Sequence, residues 1–169
     1  MEISVVIPVY RSAAILPALC EKVRAALSPH FREYELILIN DGSPDESWGV
    51  IQSLTKLHPF VYGIDLMKNV GQDNAIMAGL NHARGDTVII MDDDLQHDPE
   101  DIRLLQARLE EGYDVCYARF ESKQQAWWKN AGSLLNDWLA CWVIDKPGHF
   151  YLSPFKAIRG NVDVTLTVA

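Results

Sequence analysis

Short apolar runs alternate with amphipathic segments along the first two-thirds of the chain. Apolar runs predict five strands, of which the first, rich in β-branched residues, is expected to be buried on both faces, as in a parallel sheet. These runs cover residues 3–9, 35–39, 60–66, 87–91 and 113–118. The segments between them have helical composition or helical spacing of apolar residues, and they cover 13–27, 45–57, 71–83 and 99–111. Alternation through short connections predicts an α/β fold with a Rossmann-like, mostly parallel central sheet flanked by helices.

The pattern changes after residue 120. Residues 124–143 predict one longer helix that carries four tryptophans, and residues 150–158 predict an extended segment or a short helix. No apolar stretch reaches the roughly 20 residues that cross a bilayer, and the chain opens directly on a strand-like run. We therefore expect neither a transmembrane helix nor a signal peptide.

Composition and charge narrow the class of partner. The 169 residues are 49% hydrophobic and 22% charged, as is usual for a globular domain. A formal net charge of −8 without a basic stripe argues against nucleic acid. Cys20, Cys116 and Cys141 lack the spacing of a zinc site or a disulfide framework, which predicts free thiols in a reducing cytoplasm.

Three consecutive aspartates, Asp92, Asp93 and Asp94, follow the fourth predicted strand. Open α/β sheets bind ligands beyond the carboxyl ends of their strands. Alternation along the chain points Asp92 and Asp94 in similar directions and turns Asp93 elsewhere. Two converging carboxylates favour a cation between them, and oxygen ligands suit Mg²⁺ or Mn²⁺. Such an ion could bridge a diphosphate; the alternative is that these aspartates only cap the next helix and face water.

Two further polar loops fall on the same predicted edge of the sheet. In the loop at 40–45, Asp41 is placed to accept a hydrogen bond from a ring N–H of uracil or guanine; the alternative is a turn with a helix cap. After the third strand, Lys68 is placed to meet phosphate, and Gly71 and Gln72 open a helix whose amide end favours anions. The alternative there is a solvated turn.

Five segments, in this order, resemble glycosyltransferase family 2, a family of inverting enzymes with the GT-A fold. They are VVIPVY at 5–10, INDGSPD at 39–45, KNVGQ at 68–72, AGLNHARGD at 78–86 and MDDDLQHDPE at 91–100. The DLQ-x-x-PE and N-x-GQ patterns look like the dolichol- and undecaprenyl-phosphate sugar transferases. The resemblance implies transfer of a sugar from a UDP or GDP donor to a polyprenyl phosphate, as in cell-envelope synthesis.

The resemblance also implies roles for individual residues. Asp92 and Asp94 would hold the Mg²⁺ or Mn²⁺ and act in catalysis, with Gln96 as an extra ligand. The implied nucleotide-sugar pocket comprises Pro8, Val9, Tyr10, Asp41, Lys68, Gly71, Gln72, Asp92 and Asp93. Residues 1–118 would form the nucleotide-sugar-binding GT-A core, and 119–169 an acceptor-side helix and an incomplete C-terminal segment of the same domain.

Several positions depart from the usual pattern of this family. Arg11 and Ser12 stand where the family usually has Asn-Glu, and Asn40 stands where it usually has the first of two aspartates. Both changes touch the base and ribose pocket, so the identity of the donor stays open. Asp93 stands where a small residue is usual, and it adds a charge to which the sequence assigns no role.

The acceptor side is read from the residues after 118. A lipid phosphate is already ionised, because its second pKa is about 6, so it needs no general base. The sequence there offers no clear catalytic carboxylate, since Asp137 and Asp145 are weak candidates. This favours a phosphate acceptor contacted by Arg119, Lys123 or Lys129. We count Arg119 among the catalytic residues.

The tryptophan-bearing segment at 124–143 suits contact with a membrane surface. The alternative is an aromatic face packed on the sheet or on another subunit of a homo-oligomer. We expect a cytoplasmic protein, working in the cytoplasm or at the cytoplasmic face of the membrane. The alternative functions are the same donor chemistry with a saccharide acceptor, and a catalytically silent nucleotide-sugar-binding module.

Overall fold

A central sheet organises the part of the chain that the computed structural model describes, residues 1–118 and 154–160. Its strands are β1 (Ile3–Val9), β2 (Tyr34–Asp41), β3 (Val61–Leu66), β4 (Thr87–Ile90), β5 (Val115–Tyr117) and β6 (Lys156–Arg159). They lie in the order β3-β2-β1-β4-β6-β5. The first four pair in parallel, and β6 runs antiparallel between β4 and β5. The predicted α/β fold with a mostly parallel sheet is confirmed.

The helices connect successive strands, as the alternating pattern predicts. They are α1 (Leu16–Leu27), α2 (Ser47–Leu57), α3 (Gln72–Leu80) and α4 (Ile102–Glu110), the last preceded by a 3₁₀ turn at Pro99–Asp101. Pro17 lies in the first turn of α1, where its missing N–H costs no hydrogen bond. None of the helices among the described residues combines the length and the hydrophobicity that a membrane crossing requires. The predicted helix at 124–143 lies outside the described residues.

The two faces of the sheet are covered by different helices. On one face, Ala75 of α3 packs in a cluster with Val6, Ile37 and Ile39. On the other face, α2 packs over Gly63 of β3. Gly63 pairs with Leu38 of β2, and the side chain of Leu38 points to the opposite face from those of its neighbours Ile37 and Ile39. All seven residues of β1 are therefore buried, as expected for a strand in the middle of a parallel sheet.

A buried carboxylate, that of Glu35, joins the amino ends of the first two strands and pairs with the exposed side chain of Arg84. Glu35 is 1% exposed, and its carboxylate accepts hydrogen bonds from the Ser4 hydroxyl at 2.6 Å and from Arg84 Nη2 at 2.6 Å. The backbone N–H of Arg84 donates a third bond of 2.8 Å. Burial by itself raises the pKa of Glu35, but the bonds from Arg84 and Ser4 outweigh it and lower the pKa. This network stabilises the edge of the sheet opposite to the polar loops.

The cysteines of the described part are free thiols. Cys20 is buried in α1 and Cys116 is partly buried in β5. Burial raises the pKa of the Cys20 thiol to about 11, so this side chain stays protonated and unreactive at neutral pH. The prediction of isolated thiols holds for these two residues, and Cys141 lies outside the described part.

Candidate functional site

The loops that follow the four parallel strands enclose a cleft of about 340 Å³ at the carboxyl edge of the sheet. It is lined by Pro8, Val9, Tyr10, Asp41, Asn69, Gly71, Gln72, Asp92, Asp93 and Asp94. The structure thus brings together the predicted pocket residues from all of these loops. Lys68 and Gln96 are exposed and do not line the cleft, and Arg119 lies outside the described residues. Asn69 is a lining residue that the sequence reasoning missed, although it stands between two selected residues.

Asp92 is the partly buried carboxylate at one wall of the cleft. Its Oδ1 accepts a hydrogen bond of 2.8 Å from Nε2 of Gln72, in the first turn of α3. Burial raises the pKa of Asp92, and the neighbouring charge of Asp94 raises it further. Asp94 is exposed, and its Oδ1 accepts a bond of 3.0 Å from the backbone N–H of Gln96. Ionising both carboxylates therefore carries an electrostatic cost that a bound cation would offset.

The donor set of this wall fits a hard divalent cation. Asp92 and Asp94 supply carboxylate oxygens, the ligand type that Mg²⁺ and Mn²⁺ prefer. Within residues 1–118 and 154–160, however, no three Asp, Glu, His or Cys side chains are grouped to hold a metal ion by themselves. Mg²⁺ sites of one or two carboxylates are commonly completed by substrate phosphates and water. The role of Gln96 as an extra ligand stays a prediction.

Asp93 lines the same cleft as the other two aspartates, but its side chain bonds to the loop after β1. Its Oδ2 accepts a hydrogen bond of 2.5 Å from the Ser12 hydroxyl and one of 3.3 Å from the backbone N–H of Tyr10. The side chain therefore joins the loop after β4 to the loop after β1. Arg11 (φ +58°) and Leu95 (φ +60°) are the non-glycine residues of the described part with positive φ, and they lie in these two loops. Such strained positions concentrate at functional sites.

Asp41 holds the loop after β3 in place. It is 3% exposed, and its two carboxylate oxygens accept bonds of 2.7 Å from the Val70 N–H and 3.0 Å from the Gly71 N–H. The next residue, Gly42, has φ +58°, and a Cβ there would lie 2.4 Å from the backbone nitrogen of Asn69. Only glycine allows this close approach of the two loops. The predicted contact of Asp41 with a nucleobase stays a prediction.

The first turn of α3 borders the same cleft. Gly71, with φ +90°, is the N-cap, and the helix begins at Gln72, within one residue of the predicted start. The amide end of a helix favours anions, although Asp73 in the first turn opposes this effect. Lys68 is exposed in the preceding loop, and its contact with phosphate stays a prediction.

A ring contact connects the aspartate loop to the residue before β6, and no pattern in the sequence predicts it. The rings of His97 and Phe155 stack with centroids 5.2 Å apart and an interplanar angle of 25°. Phe155 is fully buried immediately before β6. The two residues are distant in the chain, and they meet because Lys156 of β6 pairs with Ile90 at the end of β4.

Solved structures share this fold. Glucosyl-3-phosphoglycerate synthase from Mycobacterium tuberculosis, in complex with Mn²⁺, UDP-glucose and phosphoglyceric acid, aligns with a TM-score of 0.66 at 20% identity, covering 94% of this chain and 56% of that chain. TarS from S. aureus in complex with UDP aligns with a TM-score of 0.64 at 19% identity, covering 95% and 47%. These likenesses confirm the GT-A fold.

Two relatives share a higher sequence identity with this chain than these structures do. The chain is 44% identical over 137 residues to undecaprenyl-phosphate 4-deoxy-4-formamido-L-arabinose transferase of Proteus mirabilis (strain HI4320), covering 80% of this chain and 42% of the relative. It is 49% identical over 113 residues to the protein of the same name from Shewanella sediminis (strain HAW-EB3), covering 66% and 34%. The chain thus spans less than half the length of these relatives. The sequence profile described as Glycosyl transferase family 2 matches residues 4–162. The chain therefore belongs to glycosyltransferase family 2.

Proposed function

We propose that this chain moves a sugar from a UDP or GDP sugar to a polyprenyl phosphate, with inversion at the anomeric carbon. The observation that carries the proposal is the cleft itself. It joins the carboxylate pair Asp92 and Asp94 to an uncharged wall of Pro8, Val9 and Tyr10. A nucleotide diphosphate has the matching composition, because its phosphates need a cation and its base needs a flat, largely apolar surface. The names of the relatives support the polyprenyl phosphate acceptor.

Different residues of the cleft have different roles in binding the donor. Asp92 and Asp94 would hold Mg²⁺ or Mn²⁺, which when bound supplies positive charge to the departing diphosphate. Gln72 fixes the orientation of Asp92 through its 2.8 Å hydrogen bond. Asp41 keeps the Val70–Gly71 backbone at the side of the cleft, where α3 begins. The donor therefore meets a surface that is formed before it binds, which reduces the entropy cost of binding.

The acceptor requires little acid–base chemistry from the protein. A lipid phosphate is ionised at neutral pH, so its oxygen attacks the anomeric carbon directly while the bond to the nucleotide diphosphate breaks. Arg119 is our candidate for contact with that phosphate. We propose that the reaction takes place at the cytoplasmic face of the membrane, where the tryptophans at 124–143 would meet the lipid surface. Formation of a homo-oligomer stays a prediction.

Calorimetric titration tests the donor site. UDP, GDP and their sugar conjugates are titrated with and without Mn²⁺ into the wild-type chain, Asp94→Ala and Asp86→Ala. Asp86 is an exposed aspartate before β4, away from the cleft, and serves as the matched control. We expect Mn²⁺-dependent binding of one nucleotide that Asp94→Ala abolishes and Asp86→Ala preserves. Absence of binding under every metal condition would contradict the donor site.

A transfer assay then tests the acceptor. The donor found by titration is offered to a polyprenyl phosphate, to the corresponding unphosphorylated polyprenol and to an oligosaccharide. Transfer to the phosphate alone supports the proposal, and transfer to the oligosaccharide would show a saccharide acceptor instead. Binding without transfer to any of the three would contradict the transferase and indicate a nucleotide-sugar-binding module.

A further inference from the structure

We propose that Asp93 is a positioning residue that fixes Tyr10 against the nucleotide, and that it does so without holding the metal. This inference rests on the proposed function, because it concerns how the nucleotide is bound. It assigns different tasks to three consecutive aspartates. Asp92 and Asp94 would serve the metal and the diphosphate, whereas Asp93 would serve the loop that binds the nucleoside.

The two hydrogen bonds of Asp93 reach the loop after β1, which Ser43, Asp45 and Ser47 also hold. The hydroxyl of Ser12 donates to Asp93 at 2.5 Å, and Ser12 is only 7% exposed. Water therefore cannot easily replace this bond, and a buried bond to a charged group contributes more than an exposed one. The backbone N–H of Tyr10 donates to the same oxygen at 3.3 Å.

Tyr10 depends on this backbone anchor because its side chain is weakly packed. It is 44% exposed at the rim of the cleft, where the Arg11 guanidinium lies 5.2 Å from the centroid of its ring. Burial in the core thus contributes little to the position of the ring. The backbone of the loop determines where the ring lies, and Asp93 is bonded to that backbone.

The conformation of Arg11 increases the need for such an anchor. Arg11 lies between Tyr10 and Ser12 with φ +58°, a conformation that is unfavourable for a residue with a Cβ. It persists because neighbouring groups hold the loop: Ser43 accepts from the Arg11 N–H at 3.3 Å, Ser47 accepts from the Ser12 N–H at 3.1 Å, and Asp93 accepts from Tyr10 and Ser12. Of these three anchors, Asp93 is the one that belongs to the aspartate loop.

Nucleotide titration of Asp93→Ala and Asp93→Asn tests this assignment. The titrant is UDP or GDP, whichever the wild-type chain binds, in the presence of Mn²⁺. We expect Asp93→Ala to weaken nucleotide binding by about tenfold, the equivalent of roughly one bond to a charged group. Asp93→Asn keeps one acceptor oxygen and should lose less. The Mn²⁺ concentration for half-maximal nucleotide binding should stay that of the wild type.

Asp98→Asn is the matched control, since it removes a carboxylate from the same loop. Asp98 accepts a hydrogen bond from the Glu100 N–H at 3.1 Å and does not contact the loop after β1, so nucleotide binding should be unchanged. A double variant separates positioning from general destabilisation. If Asp93 acts through Tyr10, the losses of Asp93→Ala and Tyr10→Ala combine to less than their sum, because the second change removes a ring already misplaced.

Hydrogen exchange of residues 9–13 without nucleotide tests the contact independently. We expect faster exchange in Asp93→Ala. Ser12→Ala removes the same hydrogen bond from the other side, and it should also exchange faster, so it provides the test if Asp93→Ala does not fold. Wild-type nucleotide affinity in Asp93→Ala, additive losses with Tyr10→Ala, or unchanged exchange would each overturn the inference. A wild-type chain that binds neither nucleotide would contradict the proposed function and, with it, the role of Asp93 in binding. The exchange result would still decide whether Asp93 anchors the loop.

Discussion

The side-chain amide of Asn40 donates a hydrogen bond of 2.7 Å to Oδ1 of Asp65, its register partner on β3. Asn40 is 3% exposed, and its own Oδ1 accepts from the Ser43 N–H at 3.3 Å. An ionised aspartate at position 40 could not donate to Asp65. Asn40, which departs from the usual family pattern, is therefore matched by Asp65, which accepts its hydrogen bond.

We predict that Asn40→Asp lowers the free energy of unfolding by about 2 kcal/mol at neutral pH, because it buries a charge beside another carboxylate. The double variant Asn40→Asp with Asp65→Asn should recover most of this loss, because the donor and the acceptor then exchange places. Urea denaturation measures both values. An Asn40→Asp variant as stable as the wild type would refute the pairing.

Asp41→Asn should loosen the loop between β3 and α3. Asparagine keeps one acceptor oxygen but turns an NH₂ group toward one of the two N–H groups that Asp41 binds, at Val70 and Gly71. We expect a loss of about 1–3 kcal/mol in the free energy of unfolding and faster hydrogen exchange over residues 69–72. Asp73→Asn changes an exposed aspartate in the neighbouring first turn of α3 and should leave both quantities near wild type. Equal effects of the two substitutions would contradict the role of Asp41 in holding the Val70–Gly71 backbone.

The Glu35 network makes stability depend on pH in a defined direction. The pKa of Glu35 is lowered in the folded protein, below its ordinary value of 4.5. Its contribution to stability is therefore complete above about pH 4.5 and is lost as the pH falls through the lower, folded-state pKa. Glu35→Gln should be less stable than wild type at neutral pH, and the difference should shrink in acid. Urea denaturation across about pH 3 to pH 7 measures it, with Glu46→Gln, an exposed glutamate before α2, as the control. A difference that stays constant with pH would contradict the assignment.

Two helical glycines should respond in opposite ways to alanine. A Cβ at Gly79 of α3 would lie 2.5 Å from Val6 Cγ1 and 2.7 Å from Ile39 Cδ1, so Gly79→Ala should cost about 1–3 kcal/mol through overpacking. At Gly49 of α2 the nearest atom is Glu46 Oε2 at 3.5 Å, an ordinary contact. Gly49→Ala should therefore gain roughly 0.5–1 kcal/mol from helix propensity. Thermal unfolding distinguishes the two, and a stabilised Gly79→Ala would show that α3 does not pack as closely as described.

The four helices and the first five strands were predictable from apolar runs and helical composition, although β3 is only partly buried and β5 is largely exposed. The run at 3–9 is entirely buried in β1, and its bounds match the observed strand. The parallel topology then brings the polar loops to one edge, so most lining residues of the cleft were also predictable. These inferences use local pattern and chain connectivity alone.

The partners of the polar side chains were not predictable, because they depend on register and on loop approach. The hydrogen bonds of Asp41 to the N–H groups of Val70 and Gly71 could not be read from the sequence, and its contact with a nucleobase stays a prediction. Asp93 was assigned to the nucleotide-sugar pocket, but nothing in the sequence pointed to its hydrogen bond with Ser12. The strand at Lys156–Arg159 also escaped a firm prediction, since nothing in residues 150–158 shows that it runs antiparallel beside β4.

The position of β6 between β4 and β5 has a consequence for synthesis on the ribosome. In the described sheet, β5 pairs with β6 alone, and β6 comes later in the chain. Once the aspartate loop has left the exit tunnel, β1 to β4 and the loops of the cleft can assemble. When β5 (Val115–Tyr117) emerges, its partner β6 (Lys156–Arg159) has not yet been synthesised, so the pairing of these two strands forms later. The residues that line the cleft are therefore all synthesised before the strand that pairs with β5.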